Sequence, residues 1–367
     1  MIKKILFCLV IFLKISVLSS QEITANYSFF TAGHTYGNPN SPQYGLHYPF
    51  TDFIPYLNNY PDLDLGFLTG DVVVTGTPAY WDSAQVDIDK LNMPIYIAAG
   101  NHDMGQEFTL RYGDYYYSFI YKNDLFIVLT PGLNSWNISG QQLTFLETTL
   151  ENNHADVHNI FIFMHELIWW SPTNEYQNVK INFVPHYPGS TNFDDVVKPL
   201  LLSYSNNITL YAGDLGATNL VSPFMYDSFE NITIIGSGMG GGVRDNVIIT
   251  NVYDDSVYYD LVAINGSDPN ALGELYDFQL NDINDPYNKD EINVYPNPSA
   301  NGYFYVENRS FNNAELFIND FSGRQLYKGS IDENETLRIE TNAMNPGVYL
   351  LKLQYNNHIE MKKVIIQ

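Results

Sequence analysis

The chain has 367 residues, enough for two domains and a small third, and 45% of them are hydrophobic. Tyr and Phe are abundant (29 and 22) and charged residues make up only 16%, a balance that excludes coiled-coil, collagen-like and largely disordered chains and favours β-rich globular structure. The 17 Lys and Arg against 41 Asp and Glu give a formal charge of −24, which argues against binding nucleic acid by phosphate neutralisation and is compatible with binding metal cations.

Residues 1–20 are typical of a secretory signal peptide. A positively charged start precedes an apolar run from Ile5 to Val17, and small residues follow it at a suitable cleavage position. A membrane anchor is the weaker alternative, because the run is short for a bilayer and Lys14 interrupts it. The one cysteine, Cys8, lies in this segment. We therefore expect an exported chain with no disulfide and no transmembrane segment after removal of the signal.

Short apolar runs recur between residues 21 and 265, and five of them stop at a glycine or at a side chain able to bind metal. They are Tyr27–Ala32 before Gly33-His34, Leu65–Thr69 before Gly70-Asp71, Ile95–Ala99 before Gly100-Asn101-His102-Asp103, Ile160–Met164 before His165-Glu166, and Ile208–Ala212 before Gly213-Asp214. A single such junction is usually only a turn. Five in series are hard to ascribe to turns alone, and they predict buried strands that end, as in an open α/β sheet, where ligands bind.

The sequence predicts further secondary-structure elements between these strands. Ser139 is placed to cap a helix with Gln142 three residues on, and residues 115–130 predict a β-hairpin. The run Gly236–Gly242 lacks the Gly-Lys-Ser/Thr ending of a phosphate-binding loop. We interpret it as a loop that brings backbone close to the site.

The last hundred residues predict a separate unit. Residues 266–292 are rich in Asp, Asn and Pro with weak periodicity, and we interpret them as an acidic linker, since their spacing does not fit a calcium-binding loop. Residues 293–367 contain short alternating strands and turns, which predict a small all-β, Ig-like sandwich.

The motifs of the 21–265 segment resemble those of the calcineurin-like metallophosphoesterases. That family carries, in order, Asp-x-His, Gly-Asp, Gly-Asn-His-Asp/Glu, a His after an apolar strand, and Gly-His-x-His. The chain has Ala32-Gly33-His34, Gly70-Asp71, Gly100-Asn101-His102-Asp103, His165 and Gly213-Asp214-Leu215-Gly216 at these places. The resemblance implies an α/β fold, a layered β-sandwich flanked by helices, with divalent metal ions at its centre.

The same resemblance identifies which metal site the sequence has kept. The family's first ion would retain His34 and Asp71 only, because Ala32 and Gly216 replace its other ligands. The second ion would keep ligands from all four family positions, namely Asp71, Asn101, His165 and Asp214. We therefore expect one divalent ion (Mn, Mg, Ca, Fe or Zn) rather than two, and the Asp214 carboxylate favours Mn, Mg or Ca over Zn.

In the family pattern His102 is the acid that protonates the leaving oxygen, and Asp103 beside it would orient or charge it. His47, Glu166 and His186 are further candidates that are more often structural. We favour a secreted phosphoesterase acting on a small phosphoester or a phosphorylated surface molecule. A non-catalytic relative that keeps the fold as a binding or surface module is the alternative, and the loop from Trp169 to Ser190 that would recognise substrate carries no readable code.

The C-terminal unit has a resemblance of its own. Four spaced motifs resemble the sorting domain with which Bacteroidetes proteins leave through the type IX secretion system: Val294–Pro298, Phe321–Arg324, Asn345–Leu350 and Lys362–Gln367. The resemblance implies the type IX secretion machinery as a partner and passage through the periplasm to the cell surface or the medium. An ordinary β-sandwich binding module is the alternative.

Overall fold

The structure is a computed structural model that describes residues 25–182, 186–254, 256–280, 292–299, 302–308, 313–320, 324–332, 335–342, 344–355 and 358–366. The signal peptide and residues 281–291 of the predicted linker lie outside these ranges. Among the helices that the structure describes, none has the length and apolar character needed to cross a bilayer.

Two mixed β-sheets form the first domain. Its strands, in chain order, are β1 (Tyr27–Ala32), β2 (Leu63–Thr69), β3 (Ile95–Ala98), β4 (Tyr117–Tyr121), β5 (Asp124–Val128), β6 (Asn159–Met164), β7 (Asn207–Ala212), β8 (Phe224–Phe229), β9 (Ile232–Ser237), β10 (Asn246–Val252) and β11 (Val257–Ala263). One sheet has the order β11-β10-β1-β2-β3 and the other β4-β5-β6-β7-β9-β8. All five predicted strands are present, and they are divided between the two sheets. Strands β1, β2 and β3 run parallel in one sheet, and β6 and β7 run parallel in the other.

The two sheets pack face to face through an aromatic core. The Phe67 ring of β2 stacks on the Phe163 ring of β6 with centroids 3.7 Å apart, and Phe29 of β1 contacts Phe126, Phe161 and Phe163 edge-on. These side chains are almost completely buried. Each contributes about 2–3 kcal/mol by leaving water. Alternate residues such as Phe30 face the other side of the sheet, which is also covered, and this explains why the strands read as unbroken apolar runs.

Helices cover the outer faces of the sandwich. They are α1 (Tyr48–Asn59), α2 (Pro78–Ile88), α3 (Gln106–Tyr112), α4 (Gly140–Asn153) and α5 (Lys198–Leu202). The first three pack on the β1–β3 sheet and the last two on the other. The predicted helix after Ser139 is confirmed, but its predicted cap is wrong, because the Ser139 side chain makes no capping bond. The Gln142 side chain instead bonds both backbone groups of Thr130, at 2.6 and 3.1 Å.

The segment after β11 packs on the first domain over more residues than its linker-like composition, rich in Asp, Asn and Pro, predicts. Leu275 is completely buried, and the backbone N–H of Leu280 donates to the carbonyl of Tyr226 at 3.1 Å. Residues 266–280 therefore pack on the sandwich, which shortens the stretch left to act as a linker. The boundary at 265 and the linker itself stay predictions.

The C-terminal strands form a second, smaller sandwich with its own core. They are β12 (Ile292–Tyr295), β13 (Tyr303–Asn308), β14 (Ala314–Asp320), β15 (Gln325–Ile331), β16 (Thr336–Glu340), β17 (Gly347–Tyr355) and β18 (His358–Ile366). Antiparallel sheets of order β12-β13-β16 and β15-β14-β17-β18 enclose Phe304, Leu316, Ile318 and Leu351, all buried. The prediction of a small all-β sandwich is confirmed.

Candidate metal centre

The candidate centre lies where the carboxyl ends of β1, β2, β6 and β7 meet across the two sheets. Backbones approach very closely here: a Cβ on Gly213 would lie 1.8 Å from the carbonyl oxygen of Thr69 in the opposite sheet. Only glycine permits that approach. Two functional side chains, His34 and Asp71, leave their strands with left-handed φ angles of 54° and 52°. Strained backbone of this kind is typical of functional sites, where the surrounding structure enforces it.

Asp71 sits between two histidines that come from different sheets. Its Oδ1 is 3.4 Å from Nε2 of His165, and its Oδ2 is 3.5 Å from Nε2 of His34. Each carboxylate oxygen thus faces one side of the site, as a bridging ligand would. The three side chains are buried.

His165 and Asp214 carry ligand atoms that nothing else satisfies. The Nδ1–H of His165 donates to the carbonyl of Thr69 at 3.0 Å, which leaves Nε2 as the lone-pair nitrogen. That Nε2 is buried without a hydrogen-bond partner and lies 3.7 Å from Oδ1 of Asp214, whose Oδ2 is also unpartnered. Ligand atoms of Asp71, His165 and Asp214 all lie within 4.8 Å of one another. Orphaned buried polar atoms are rare in proteins, and a divalent ion fits this set.

Burial and mutual repulsion set the protonation of these groups. Burial raises the pKa of Asp214 to about 6. Burial acts to lower the pKa of His165, but the carboxylates of Asp71 and Asp214 outweigh it and raise that pKa well above its usual value. Burial also acts to raise the pKa of Asp71, and the His165 imidazole reverses this, so that the pKa of Asp71 lies below its usual value. Without an ion, the two carboxylates therefore favour the protonated form of His165.

Asn101 follows the third strand at the same edge. Its neighbours on both sides touch Asp71: a Cβ on Gly100 would lie 2.4 Å from Oδ1 of Asp71, and the backbone N–H of His102 donates to that oxygen at 3.2 Å. The backbone of Asn101 is thus held beside the Asp71 oxygen that faces His165. Its role as a ligand stays a prediction.

The position of the family's first ion does not fit a metal. Ala32 is buried in β1 and supplies no ligand. Gly216 has φ +73°, and a Cβ there would lie 2.3 Å from the carbonyl carbon of Gly238, so the backbone excludes the side chain that the family has. The remaining imidazole, His34, is already engaged: Nδ2 of Asn182 donates to its Nε2 at 3.2 Å. Burial lowers the pKa of His34 to about 4, so this imidazole is neutral.

His102 is oriented by backbone. Its Nδ1–H donates to the carbonyl of Val74 at 2.7 Å, which leaves Nε2 as the reactive nitrogen. Its ring lies 5.2 Å from the Tyr36 ring, which in turn lies 4.4 Å from the His34 ring. Burial raises the pKa of Tyr36, and Asp71 and Asp214 add to the shift, so the phenol stays protonated. Tyr36 therefore joins the imidazoles of His34 and His102 into one packed group.

Asp103 does not orient His102 by direct contact, which corrects the expectation drawn from their adjacency. Its Oδ1 accepts the backbone N–H groups of Val72 and Val73 at 2.8 and 3.1 Å, and its Oδ2 accepts that of Gly100 at 2.9 Å. The carboxylate thereby ties the loop after β2 to the loop after β3. Since the first of these loops carries Val74, Asp103 positions His102 through the Val74 carbonyl.

The further candidates His47, His186 and Glu166 lie in different surroundings. His47 Nε2 lies 3.0 Å from Oδ2 of Asp245, a buried side chain whose Oδ1 accepts the N–H groups of Gly240 and Gly242. His47 therefore braces the glycine loop that follows β9. This loop brings backbone close to the centre, as predicted: a Cβ on Gly238 would lie 2.0 Å from the carbonyl oxygen of Leu215, the residue after Asp214. His186 is exposed.

Glu166 is buried and its Oε2 has no partner, although it immediately follows His165. Burial raises the pKa of Glu166 to about 7. Its Oε1 points toward Gly132, where a Cβ would lie 2.5 Å away. Among the described residues, the ligand atoms grouped above therefore do not include those of Glu166.

Sequence reasoning missed Asn182, Tyr36, Thr69 and Val74. The last two act through backbone carbonyls, which no residue type reveals. Tyr36 lies two residues after His34, and that proximity was the available signal. Asn182 belongs to the loop between β6 and β7, and only the folded chain brings it to His34.

Comparison with solved structures gives distant likenesses. A purple acid phosphatase, PPD1, from yellow lupin (Lupinus luteus) seeds has a TM-score of 0.47 at 13% identity, and the match covers 71% of this chain and 53% of that one. Vacuolar Protein Sorting 29 from Cryptosporidium parvum has a TM-score of 0.29 at 9% identity, over 66% of this chain and 100% of that one. The chain thus spans about half of the lupin protein. A search of curated proteins finds no match.

Family models match both parts of the chain. Residues 293–367 match a secretion system C-terminal sorting domain, which indicates export to the cell surface or secretion by the type IX route. Residues 34–228, more than half of the chain, match the calcineurin-like phosphoesterase model. The chain belongs to the calcineurin-like phosphoesterase family and carries a type IX sorting domain at its C-terminus.

Proposed function

We propose that this chain is a secreted, metal-dependent phosphoesterase with one divalent ion at Asp71, Asn101, His165 and Asp214. The observation that carries the proposal is the buried, unpartnered Nε2 of His165, which faces one carboxylate oxygen of Asp71 and one of Asp214. A folded chain that kept these groups for packing alone would leave polar atoms unsatisfied at a cost of about 1–3 kcal/mol each.

A bound divalent ion supplies two kinds of chemistry to phosphoester hydrolysis: it polarises a phosphoryl oxygen and lowers the pKa of a bound water. The chain's own residues do the rest. Asp71, His165 and Asp214 hold the charge in a fixed, buried place, and Thr69 fixes the tautomer of His165 through its carbonyl. Asp214 supplies a hard oxygen ligand and favours Mn, Mg or Ca.

His102 protonates the leaving oxygen in this proposal. The carbonyl of Val74 fixes its Nδ1–H, so the opposite nitrogen, Nε2, faces away from that bond and is available to a substrate. Its part-buried position beside Tyr36 limits the rotation of the ring. General acid catalysis by a positioned histidine contributes about 10²–10⁴-fold to the rate.

The substrate class is a small phosphoester or a phosphorylated surface molecule, since the sorting domain delivers the chain outside the cell. One specific observation favours the alternative, a non-catalytic binding module: the first-ion position has lost its ligands at Ala32 and Gly216. Retention of the other ligand set together with an oriented His102 is the reason to favour the enzyme.

The test measures metal content and turnover of a generic phosphomonoester and a generic phosphodiester. We expect about one tightly bound divalent ion per chain, and His102→Ala to lower turnover by about 10²–10⁴-fold with metal content unchanged. His158→Ala is the matched control, because His158 is exposed and lies at the opposite end of β6. Its turnover should equal that of the wild type.

Two outcomes contradict the proposal. If the wild type binds its ion but hydrolyses neither ester, the chain is a binding module. If the wild type is active and His102→Ala matches it, the acid role of His102 is wrong and water or another group protonates the leaving oxygen.

A further inference from the structure

Asn182 lies in the metal centre although it belongs to the loop between β6 and β7. Its side-chain Nδ2 is 3.2 Å from Nε2 of His34, and its backbone N–H donates to the carbonyl of Asp214 at 3.4 Å. The side-chain amide therefore faces an imidazole that would otherwise be directed at a cation, and the backbone bond holds it beside Asp214.

The contact with His34 uses the atom that a metal would need. The imidazole Nε2 has a single lone pair, and it either accepts a hydrogen bond or ligates an ion. Nδ2 of Asn182 faces Nε2 of His34, and because an amide nitrogen can only donate, Nε2 is the acceptor of this bond. The lone pair of His34 is then taken by an N–H donor.

A negatively charged group, the Asp71 carboxylate, also lies close to Nε2 of His34. Oδ2 of Asp71 is 3.5 Å from Nε2 of His34 and faces the same region as the Asn182 amide. The Asp71 carboxylate and a neutral imidazole therefore meet where the family holds its first cation, and here a donor amide lies against the imidazole.

We propose that the Asn182 amide stands in for the family's first ion and thereby keeps the centre mononuclear. It satisfies the lone pair of His34 with an N–H group in place of a metal bond, and it occupies the approach to that lone pair. The inference rests on the proposed metal centre but not on its turnover.

The experiment counts and characterises Mn²⁺ ions in the full chain. Two Mn²⁺ ions bridged by a carboxylate lie about 3.5–4 Å apart and give an exchange-coupled EPR spectrum, whereas a single ion gives an isolated sextet. We expect the wild type to bind one ion with the isolated sextet, even in excess Mn²⁺. Asn182→Asp replaces the donor amide by a carboxylate ligand of the same shape, and we expect it to bind two ions with a coupled spectrum.

Asn178→Asp is the matched control, since Asn178 is an exposed residue of the same loop and the charge change is identical. It should keep one ion and the isolated sextet. Asn182→Ala covers the case in which Asn182→Asp fails to fold, because it adds no charge. With the amide removed, a weaker second ion held by His34, Asp71 and water should give the coupled spectrum at millimolar Mn²⁺.

Several results would overturn the inference: a coupled two-ion spectrum in the wild type, a single uncoupled ion in Asn182→Asp, an Asn182→Ala protein that matches the wild type at every Mn²⁺ concentration, or a second ion gained by Asn178→Asp. A wild type that binds one ion and hydrolyses nothing removes the proposed function and leaves this inference standing. A wild type that is active with two coupled ions does the reverse.

Discussion

Metal binding at this centre should weaken steeply as the pH falls from 7 to 5. The fall in pH acts on two of the proposed metal ligands, His165 and Asp214. Asp71 and Asp214 raise the pKa of His165 well above its usual value, and burial raises the pKa of Asp214 to about 6. Both ligands must lose a proton before they can bind metal, so ion and protons compete.

The expected change in the dissociation constant is the product of the separate contributions of His165 and Asp214. The two carboxylates favour protonated His165 when no ion is present, so its deprotonation costs up to a factor of about ten per pH unit, or up to about 10² in all. Asp214 goes from roughly one-tenth protonated at pH 7 to roughly nine-tenths at pH 5, which contributes about another tenfold. We therefore expect the dissociation constant for Mn²⁺ to rise by at least the tenfold that Asp214 contributes and by up to about 10³-fold, and binding at pH 7 to release protons.

Isothermal titration calorimetry measures both quantities. The dissociation constant is determined at pH 7, 6 and 5, and the number of protons released is obtained from buffers of different ionisation enthalpy. Asp214→Asn should bind more weakly at pH 7, and its dissociation constant should rise by no more than about 10² over the same range, because the Asp214 proton is gone. A rise of less than tenfold in the wild type, or no proton release at pH 7, would refute the reasoning.

Two further predictions concern the stability of the first domain. Unfolding is followed in both by tryptophan fluorescence, because all four tryptophans of the chain lie in that domain: Trp81, Trp136, Trp169 and Trp170. Gly216→Ala should lower the free energy of unfolding by about 2–5 kcal/mol, because a Cβ there combines left-handed backbone with a 2.3 Å approach to Gly238. Gly189→Ala, also at positive φ but in open space, should cost only about 1–2 kcal/mol, and equal costs would contradict the packing argument. Deletion of residues 293–367 should leave the unfolding of the first domain nearly unchanged, since the exposed ion pair of Lys363 and Glu274 is worth little, and should retain the protein in the periplasm. Efficient export of the truncated chain would argue against the role of the sorting domain.

Much of the local structure of this chain was readable from its sequence. The runs ending at Ala32, Thr69, Met164 and Ala212 are strands that end where the sequence predicts. They are legible because both faces of each sheet are covered, which leaves continuous apolar runs with polar residues only at their ends. The same local information placed Asp71, His165 and Asp214 at strand ends.

Tertiary structure decided how those strand ends meet and what each polar side chain does there. Adjacency in sequence suggested that Asp103 orients His102, but hydrogen-bond geometry gives Asp103 three backbone amides and gives His102 the carbonyl of Val74. The contact of Asn182 with His34 joins residues 148 positions apart, and no local pattern encodes it. The φ angle and neighbours of Gly216 likewise depend on the loop around Gly238. Strand formation follows from apolar runs of a few residues, whereas ligand geometry depends on close packing between segments that are distant in sequence.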